Sequence, residues 1–284
     1  MRRLIMFITI LILLTGCYNK SSIDSQEDIY KYIQEGDTSK VIELVTKKNI
    51  NEQIKDKEPI ILYAGSIGNE ELTISLLEKA PDLNMKNHIG NNLLHIAAEN
   101  NMKKLVEKII INKLIDINDL NNFSMTPLYL ALTKNNNDLA KLLLRNNADP
   151  NVANMEGFTP LHEAASKNNE EIVKILIKKG ASVDTATSTM LTPLMIAAQN
   201  GQTEIVKLLI NKGADINVVD VDGYSALAYA ILSNQTESTK LLLSYNSKQD
   251  IKVSGDHSLI DLAKMNNNNE LVKIIEGSGK SEKD

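Results

Sequence analysis

Side chains that could carry out covalent or metal chemistry are few and scattered along this 284-residue chain. There is one cysteine, Cys17, and no disulfide can therefore form within the chain. The chain has four histidines, His88, His95, His162 and His257, and they do not form a cluster of metal ligands. The glycine pair in Gly65–Gly68 is not followed by the lysine of a phosphate-binding loop. No nucleophile–base pair is suggested, so the sequence predicts a protein that is not an enzyme and that uses no cofactor, metal or small-molecule substrate.

The cysteine stands at the end of an N-terminal segment with its own pattern. Met1-Arg2-Arg3 is basic, and Leu4–Leu14 is apolar except for Thr9 but too short for the ~20 residues of a permanent bilayer span. A basic start followed by a short apolar run is typical of a secretory signal. Leu14-Thr15-Gly16-Cys17 is moreover similar to the lipobox of bacterial lipoproteins. That resemblance implies cleavage before Cys17 and acylation of its thiol; a plain secretion signal and a retained N-terminal anchor are the alternatives.

The sequence divides into four expected segments, the first of which ends at the lipobox. Residues 1–16 are the signal peptide, residues 17–26 a lipidated cysteine with a polar tether, residues 27–276 the folded part, and residues 277–284 a flexible tail. Loss of the signal removes Arg2 and Arg3 and no acidic residue, so the formal net charge changes from −5 to −7. This charge is the opposite of the basic surface on which nucleic-acid binding depends. No nucleic-acid partner is expected.

The folded part repeats one unit, best seen in Gly157–Gly180. Thr159 and Pro160 have the types found at an N-cap and at the first helical position, and a short apolar helix follows. Asn168 tolerates the left-handed backbone of a sharp reversal. A second helix of apolar residues at helical spacing then ends at Gly180. The unit is therefore a helix, a tight turn and a second helix, preceded by a loop.

The residue equivalent to Leu161 recurs along the chain. We call these residues the anchors: Ile29, Ile61, Leu94, Leu128, Leu161, Leu194, Leu227 and Ile260. Successive anchors are 32, 33, 34, 33, 33, 33 and 33 residues apart, so one extra residue is expected within residues 112–117. A period of this length is the signature of a repeat architecture.

The repeated motif resembles that of ankyrin-repeat proteins. Its helix signature stands as Thr159–Ala165, and its second helix and following loop as Glu204–Asn217. The resemblance implies an all-α ankyrin-repeat solenoid of about eight stacked helix-turn-helix units, with β-hairpin-like finger loops between them. Residues 27–47 and 258–275 are expected to be divergent terminal caps, because end repeats face water on one side. It also implies that His95 and His162 hydrogen-bond backbone groups of the neighbouring finger.

Two finger positions depart from the pattern. The glycine that occupies Gly90, Gly157 and Gly223 is replaced by Ser124 and Met190. We expect these two finger tips to be shaped differently.

Large apolar residues recur on the fingers and give the candidate binding residues. Three residues before the anchor, four successive repeats have Met125, Phe158, Leu191 and Tyr224, which we call the 33-residue row. Three further apolar residues lie just before the finger glycine position: Phe123, Met155 and Val221. An exposed apolar stripe normally marks a binding site. The alternative is that the row packs against its own fingers.

Two functions are consistent with these features. The first is a membrane-tethered, non-enzymatic scaffold that binds an unidentified protein partner on the concave face formed by fingers and first helices. The second is a structural or protective envelope lipoprotein without one specific partner. In either case we expect a monomer anchored through Cys17 in the bacterial cell envelope, on the periplasmic side or at the cell surface. Fold alone does not decide between the two.

Overall fold

The computed structural model describes residues 26–54 and 58–278. Residues 1–25, which contain the signal, the lipobox and Cys17, lie outside the described residues, as do residues 279–284 of the expected tail. The chain divides into two compact units between Asn122 and Phe123. Each unit is built from pairs of short antiparallel helices, which we call the first and second helix of a repeat.

The described residues of the N-terminal unit, 26–54 and 58–122, form three helix pairs. Their bounds are α1 (26–35) with α2 (Thr38–Leu44), α3 (Ile60–Ser66) with α4 (Glu70–Leu77), and α5 (Leu93–Glu99) with α6 (Lys103–Ile111). First helix α3 packs on first helix α5, and second helix α4 packs on both α2 and α6.

In the C-terminal unit, the described residues 123–278 form five helix pairs. Their bounds are α7 (Pro127–Thr133) with α8 (Asn137–Arg145), α9 (Pro160–Ser166) with α10 (Glu170–Lys178), α11 (Pro193–Gln199) with α12 (Thr203–Asn211), α13 (Ala226–Leu232) with α14 (Thr236–Ser244), and α15 (Leu259–Met265) with α16 (Asn269–Ser278). Each odd-numbered helix packs on the next odd-numbered one, and the even-numbered helices likewise. The predicted stacking of helix pairs is thus confirmed within each unit, and the last helix runs two residues past the expected end at residue 276.

Capping residues and left-handed turns explain why the helices are so short. Thr126 and Thr192 accept hydrogen bonds from the amides of Tyr129 and Met195, at 3.2 Å and 3.3 Å, and so start α7 and α11. Asn168 ends the first helix of its repeat with φ 55°, as predicted. The same turn is made by left-handed residues in the other repeats: Gly36, Gly68, Asn101, Asn135, Gly201, Asn234 and Asn267. Asparagine is used where glycine would serve, because it tolerates this conformation.

The core consists of the anchors and of the aliphatic side chains that surround them. Ile29, Ile61, Leu94, Leu128, Leu161, Leu194 and Leu227 are all buried. Ile260, on helix α15 of the last repeat, is only partly buried. The two ends of the array therefore differ, because Ile29 in the first repeat is as fully buried as the interior anchors.

Candidate partner-binding surface

Three fingers of the C-terminal unit are tight turns, each held by one polar side chain at its base, namely Asn154, Thr187 or Asp220. In the finger of residues 154–158, the backbone amide of Asn154 donates to the Phe158 carbonyl at 2.9 Å. The backbone amide of Gly157 donates to the backbone carbonyl of Asn154, also at 2.9 Å. Asn154 Oδ1 accepts from the amides of Glu156 and Phe158 at 3.0 Å and 2.9 Å. These bonds use most of the polar groups of the turn, and the side chain of Met155 is largely exposed.

The expectation that Ser124 and Met190 would change the finger shape is wrong. Both have the left-handed backbone of the glycines that they replace, with φ 57° and 65° against 89° at Gly157. The Met190 amide donates to the Thr187 carbonyl at 2.9 Å, as the Gly157 amide does to its own finger base. The hydrogen bonds within the finger and with its neighbours fix the conformation, and an L-residue adopts it at a cost of about 1 kcal/mol.

Backbone hydrogen bonds join each finger to the next one. The Met155 amide donates to the Phe123 carbonyl at 3.0 Å, and the Val221 amide donates to the Thr189 carbonyl at 3.2 Å. The Ser188 amide makes the same bond to Glu156 at 2.9 Å. The finger tips of this unit therefore form one continuous edge rather than separate loops.

Four apolar side chains project from this edge, and we call them the tip patch: Phe123, Met155, Met190 and Val221. Their exposed fractions are 48%, 70%, 45% and 64%. The bond between Met155 and Phe123 makes these two residues neighbours, and the bond from Val221 ends beside Met190, at Thr189. Exposed apolar groups that lie together mark interaction sites more often than isolated ones do.

The 33-residue row lies deeper than the tip patch. Its members Met125, Phe158, Leu191 and Tyr224 are all half-buried. The Phe158 ring meets the His162 ring edge-on, with centroids 5.6 Å apart, and the Tyr224 ring lies 5.5 Å from that of Tyr229. The two aromatic members thus pack on the first helix of their own repeat and leave part of each ring accessible.

His162 has the predicted structural role. Its Nδ1 accepts from the Thr159 amide at 3.1 Å, and its Nε2 lies 3.1 Å from the Leu191 carbonyl of the next finger. A carbonyl can only accept, so the neutral ring carries its proton on Nε2. Burial lowers the pKa of His162 to about 4, although hydrogen bonds to the Leu191 and Thr185 backbone oppose the change. The ring is a neutral link between repeats and not a general base.

A hydrogen bond between Tyr229 and Asp220 supports the finger of residues 220–224 within its own repeat. The Tyr229 hydroxyl donates to Asp220 Oδ2 at 2.6 Å, and Asp220 Oδ1 accepts from the amides of Asp222 and Tyr224 at 3.0 Å and 2.8 Å. Burial, together with the bond to Asp220, raises the pKa of Tyr229 above its ordinary value. Asp220 therefore positions its finger and is not available to a ligand.

Neither a metal site nor a membrane span is found in the described part of the chain. Residues 26–54 and 58–278 contain no group of three histidine, cysteine or acidic side chains placed to hold an ion. Within the same residues, no helix has the length and hydrophobicity needed to cross a bilayer.

Sequence reasoning missed Met190 and Val219 as exposed apolar residues; Val219 is 40% exposed and lies beside the tip patch. A signal for Met190 was present, because a large apolar residue occupies a position that is glycine in neighbouring repeats. For Val219 the sequence offers no such signal.

Two comparisons with known proteins agree with this architecture. A family model described as ankyrin repeats (3 copies) matches residues 94–187 and 185–254, more than half of the chain. A putative ankyrin repeat protein, FPV228, of fowlpox virus (strain NVSL) is similar, with 28% identity over 141 residues. That alignment covers 43% of this chain and 27% of the viral protein, so the chain matches about a quarter of the relative's length. Repeat period, helix pairs, finger loops and the family match together show that this chain belongs to the ankyrin-repeat family.

Proposed function

We propose that this protein is a membrane-tethered, non-enzymatic scaffold that binds a protein partner through the fingers and first helices of its C-terminal unit. Ankyrin repeats serve in general as protein–protein interaction surfaces, and that general role is what family membership supports. The binding face and the tether are specific to the proposal.

The tip patch is the observation that carries the proposed binding face. Burying Phe123, Met155, Met190 and Val221 in the fold would have been favourable, yet each is at least 45% exposed. Apolar surface contributes about 25 cal/mol per Å² when it is removed from water. A partner that covers the tip patch would therefore stabilise the complex by burying surface that the fold leaves exposed. The half-buried rings of Phe158 and Tyr224 stand behind it and would extend the contact, because interface energy concentrates in large aromatic side chains.

Site-specific crosslinking tests the binding face. A photoreactive residue placed at Met155 or at Val221 should give one crosslinked product of discrete mass in the native cell. The matched control is the same photoreactive residue at Lys178, which is exposed on the second helix α10. A discrete product from the tip positions but not from Lys178 supports the proposal. No product, or the same mixture from all three positions, favours a structural or protective role without a specific partner.

The proposed tether rests on the sequence Leu14-Thr15-Gly16-Cys17. Two or three acyl chains hold a folded domain firmly on a membrane, because each buried methylene contributes about 0.8 kcal/mol. Cys17→Ser should abolish incorporation of labelled fatty acid and leave the precursor uncleaved at this position. If labelled fatty acid still enters the variant, or if the mature N-terminus lies elsewhere, the protein is not a lipoprotein anchored at Cys17. A location in the bacterial cell envelope depends on the same experiment.

A further inference from the structure

Charge is distributed unevenly between the two faces of the C-terminal unit. The fingers and first helices of its first four repeats occupy residues 123–133, 154–166, 187–199 and 220–232, and these segments contain no lysine or arginine. They contain four acidic residues, namely Glu156, Glu163, Asp220 and Asp222. The second helices of the same repeats, by contrast, have cations in every case: Lys141, Arg145, Lys174, Lys178, Lys207 and Lys240.

Two of the four carboxylates remain available to a partner. Glu163 is already paired with Lys167 at 3.7 Å, and Asp220 is used by Tyr229 and the finger backbone. Glu156 and Asp222 are exposed on the finger tips, and neither has an ion-pair partner among the described residues. Glu156 follows Met155 directly and Asp222 follows Val221, so each free carboxylate adjoins a member of the tip patch.

Met190 adds to the apolar part of this surface. Its backbone is left-handed with φ 65°, a conformation that glycine adopts without cost. Its side chain is 45% exposed and so gains less from burial than a core methionine. An apolar side chain here is neither favoured by the backbone nor fully buried in the core, so it enlarges the exposed apolar surface that a partner could cover.

From this combination we infer that the partner is a protein segment that presents lysine or arginine side chains beside apolar ones. The inference rests on the proposed function and names the chemistry of its partner. The apolar side chains would cover the tip patch, and the cations would pair with Glu156 and Asp222. Opposite charges would also speed association and disfavour acidic partners.

The repeat spacing gives the size of this segment. Four adjacent repeats are separated by three helix-packing distances of about 8–10 Å each, which is roughly 27 Å in total. A helix of about 18 residues has this length at a rise of 1.5 Å per residue. An anionic membrane surface does not fit, because the exposed carboxylates would repel it.

A pair of synthetic peptides tests the inference. Both have 18 residues and the same leucine and isoleucine positions at helical spacing, and their polar positions are all lysine in one and all glutamate in the other. The lysine peptide should bind the mature protein at least tenfold more tightly than the glutamate peptide, as measured by fluorescence anisotropy. Glu156→Gln with Asp222→Asn should weaken the lysine peptide about three- to tenfold, because exposed ion pairs contribute modestly. Met155→Ser with Val221→Ser should weaken both peptides.

The control separates a site from general attraction to an acidic protein. Glu204→Gln with Glu276→Gln removes two exposed carboxylates from second helices of the same unit and should change the affinity by less than twofold. Equal losses in the two double variants would overturn the inference, and so would equal binding of the two peptides. Binding of vesicles with anionic lipids through the tip patch, or a dimer in sedimentation that excludes the peptide, would also overturn it.

The two proposals can fail separately. If a residue at Met155 crosslinks one native protein but the two peptides bind equally, the scaffold function stands and the basic partner is wrong. If the tip positions crosslink nothing, the scaffold function fails whatever the peptides do.

Discussion

The buried ring of His162 makes the stability of the C-terminal unit depend on pH. The ring is neutral in the folded protein, with a pKa of about 4, whereas an unfolded chain has a histidine pKa of about 6.5. Because the unfolded state takes up the proton more readily, its share of the population rises as the pH falls. The contribution of His162 is thus fully present above about pH 6.5 and is lost progressively down to about pH 4.

The size of the effect follows from the difference between the two pKa values. Each pKa unit corresponds to about 1.4 kcal/mol, so the folded state loses about 2 kcal/mol between pH 7 and pH 5 and about 3 kcal/mol by pH 4. Carboxylates also titrate in this range, but they do so alike in the wild type and in His162→Met. The difference between the two free energies of unfolding therefore isolates the contribution of His162. Met195 occupies the same position in the next repeat, where its sulfur lies 3.5 Å from the Thr192 amide, so methionine is compatible with this site.

The assay is urea unfolding of both proteins, followed by circular dichroism between pH 7 and pH 4. The free energy of unfolding of the wild type minus that of His162→Met should fall by about 2 kcal/mol from pH 7 to pH 5. A difference that stays constant with pH would show that the ring is not held neutral by burial. A difference that grows as the pH falls would show that the sign of the pKa shift is wrong.

Three changes test the stacking and the fingers. Leu161→Ala should lower the free energy of unfolding in urea by about 2–5 kcal/mol. Ile260→Ala should lower it less, because Ile260 is partly exposed in the last repeat. Equal losses would contradict a one-dimensional stack. At Met190, Met190→Gly should be more stable than Met190→Ala by about 1 kcal/mol, the reverse of the usual order, because only glycine is unstrained at positive φ. Gly157→Ala should cost about 2 kcal/mol, since its new Cβ would lie 2.8 Å from the Thr187 Cα; a neutral change in thermal melting would show that the finger can move aside.

The helix pairs could be predicted because their determinants are local. A threonine followed by proline, an asparagine at the reversal and apolar residues at helical spacing appear in order around Leu161, and the structure places a helix start, a left-handed turn and a buried anchor there. The 33-residue period then repeats this assignment, so the family resemblance could be found without any three-dimensional information.

The details of the surface could not be predicted in the same way. Ser124 and Met190 adopt a left-handed backbone that their intrinsic preference opposes, and at Met190 a hydrogen bond within the finger holds it. Phe158 and Tyr224 are half-buried because each packs on an aromatic ring of the following first helix. That ring is His162 in one repeat and Tyr229 in the other. The sequence places all four residues on fingers, but it does not show how much of each side chain remains in water.

The backbone bonds between fingers have a consequence for how such a chain can change its length. The fingers of residues 154–158, 187–191 and 220–224 each donate one backbone amide to the finger before and accept one from the finger after, as Met155 and Glu156 do within a single loop. A copied 33-residue segment inserted between two repeats would meet the same donor on one side and the same acceptor on the other. Duplication or deletion of whole repeats therefore leaves every interior bond satisfied, whereas a one-residue insertion in a finger disturbs two neighbours at once. Gene duplication in steps of one repeat is thus the least disruptive way for this architecture to gain or lose binding surface.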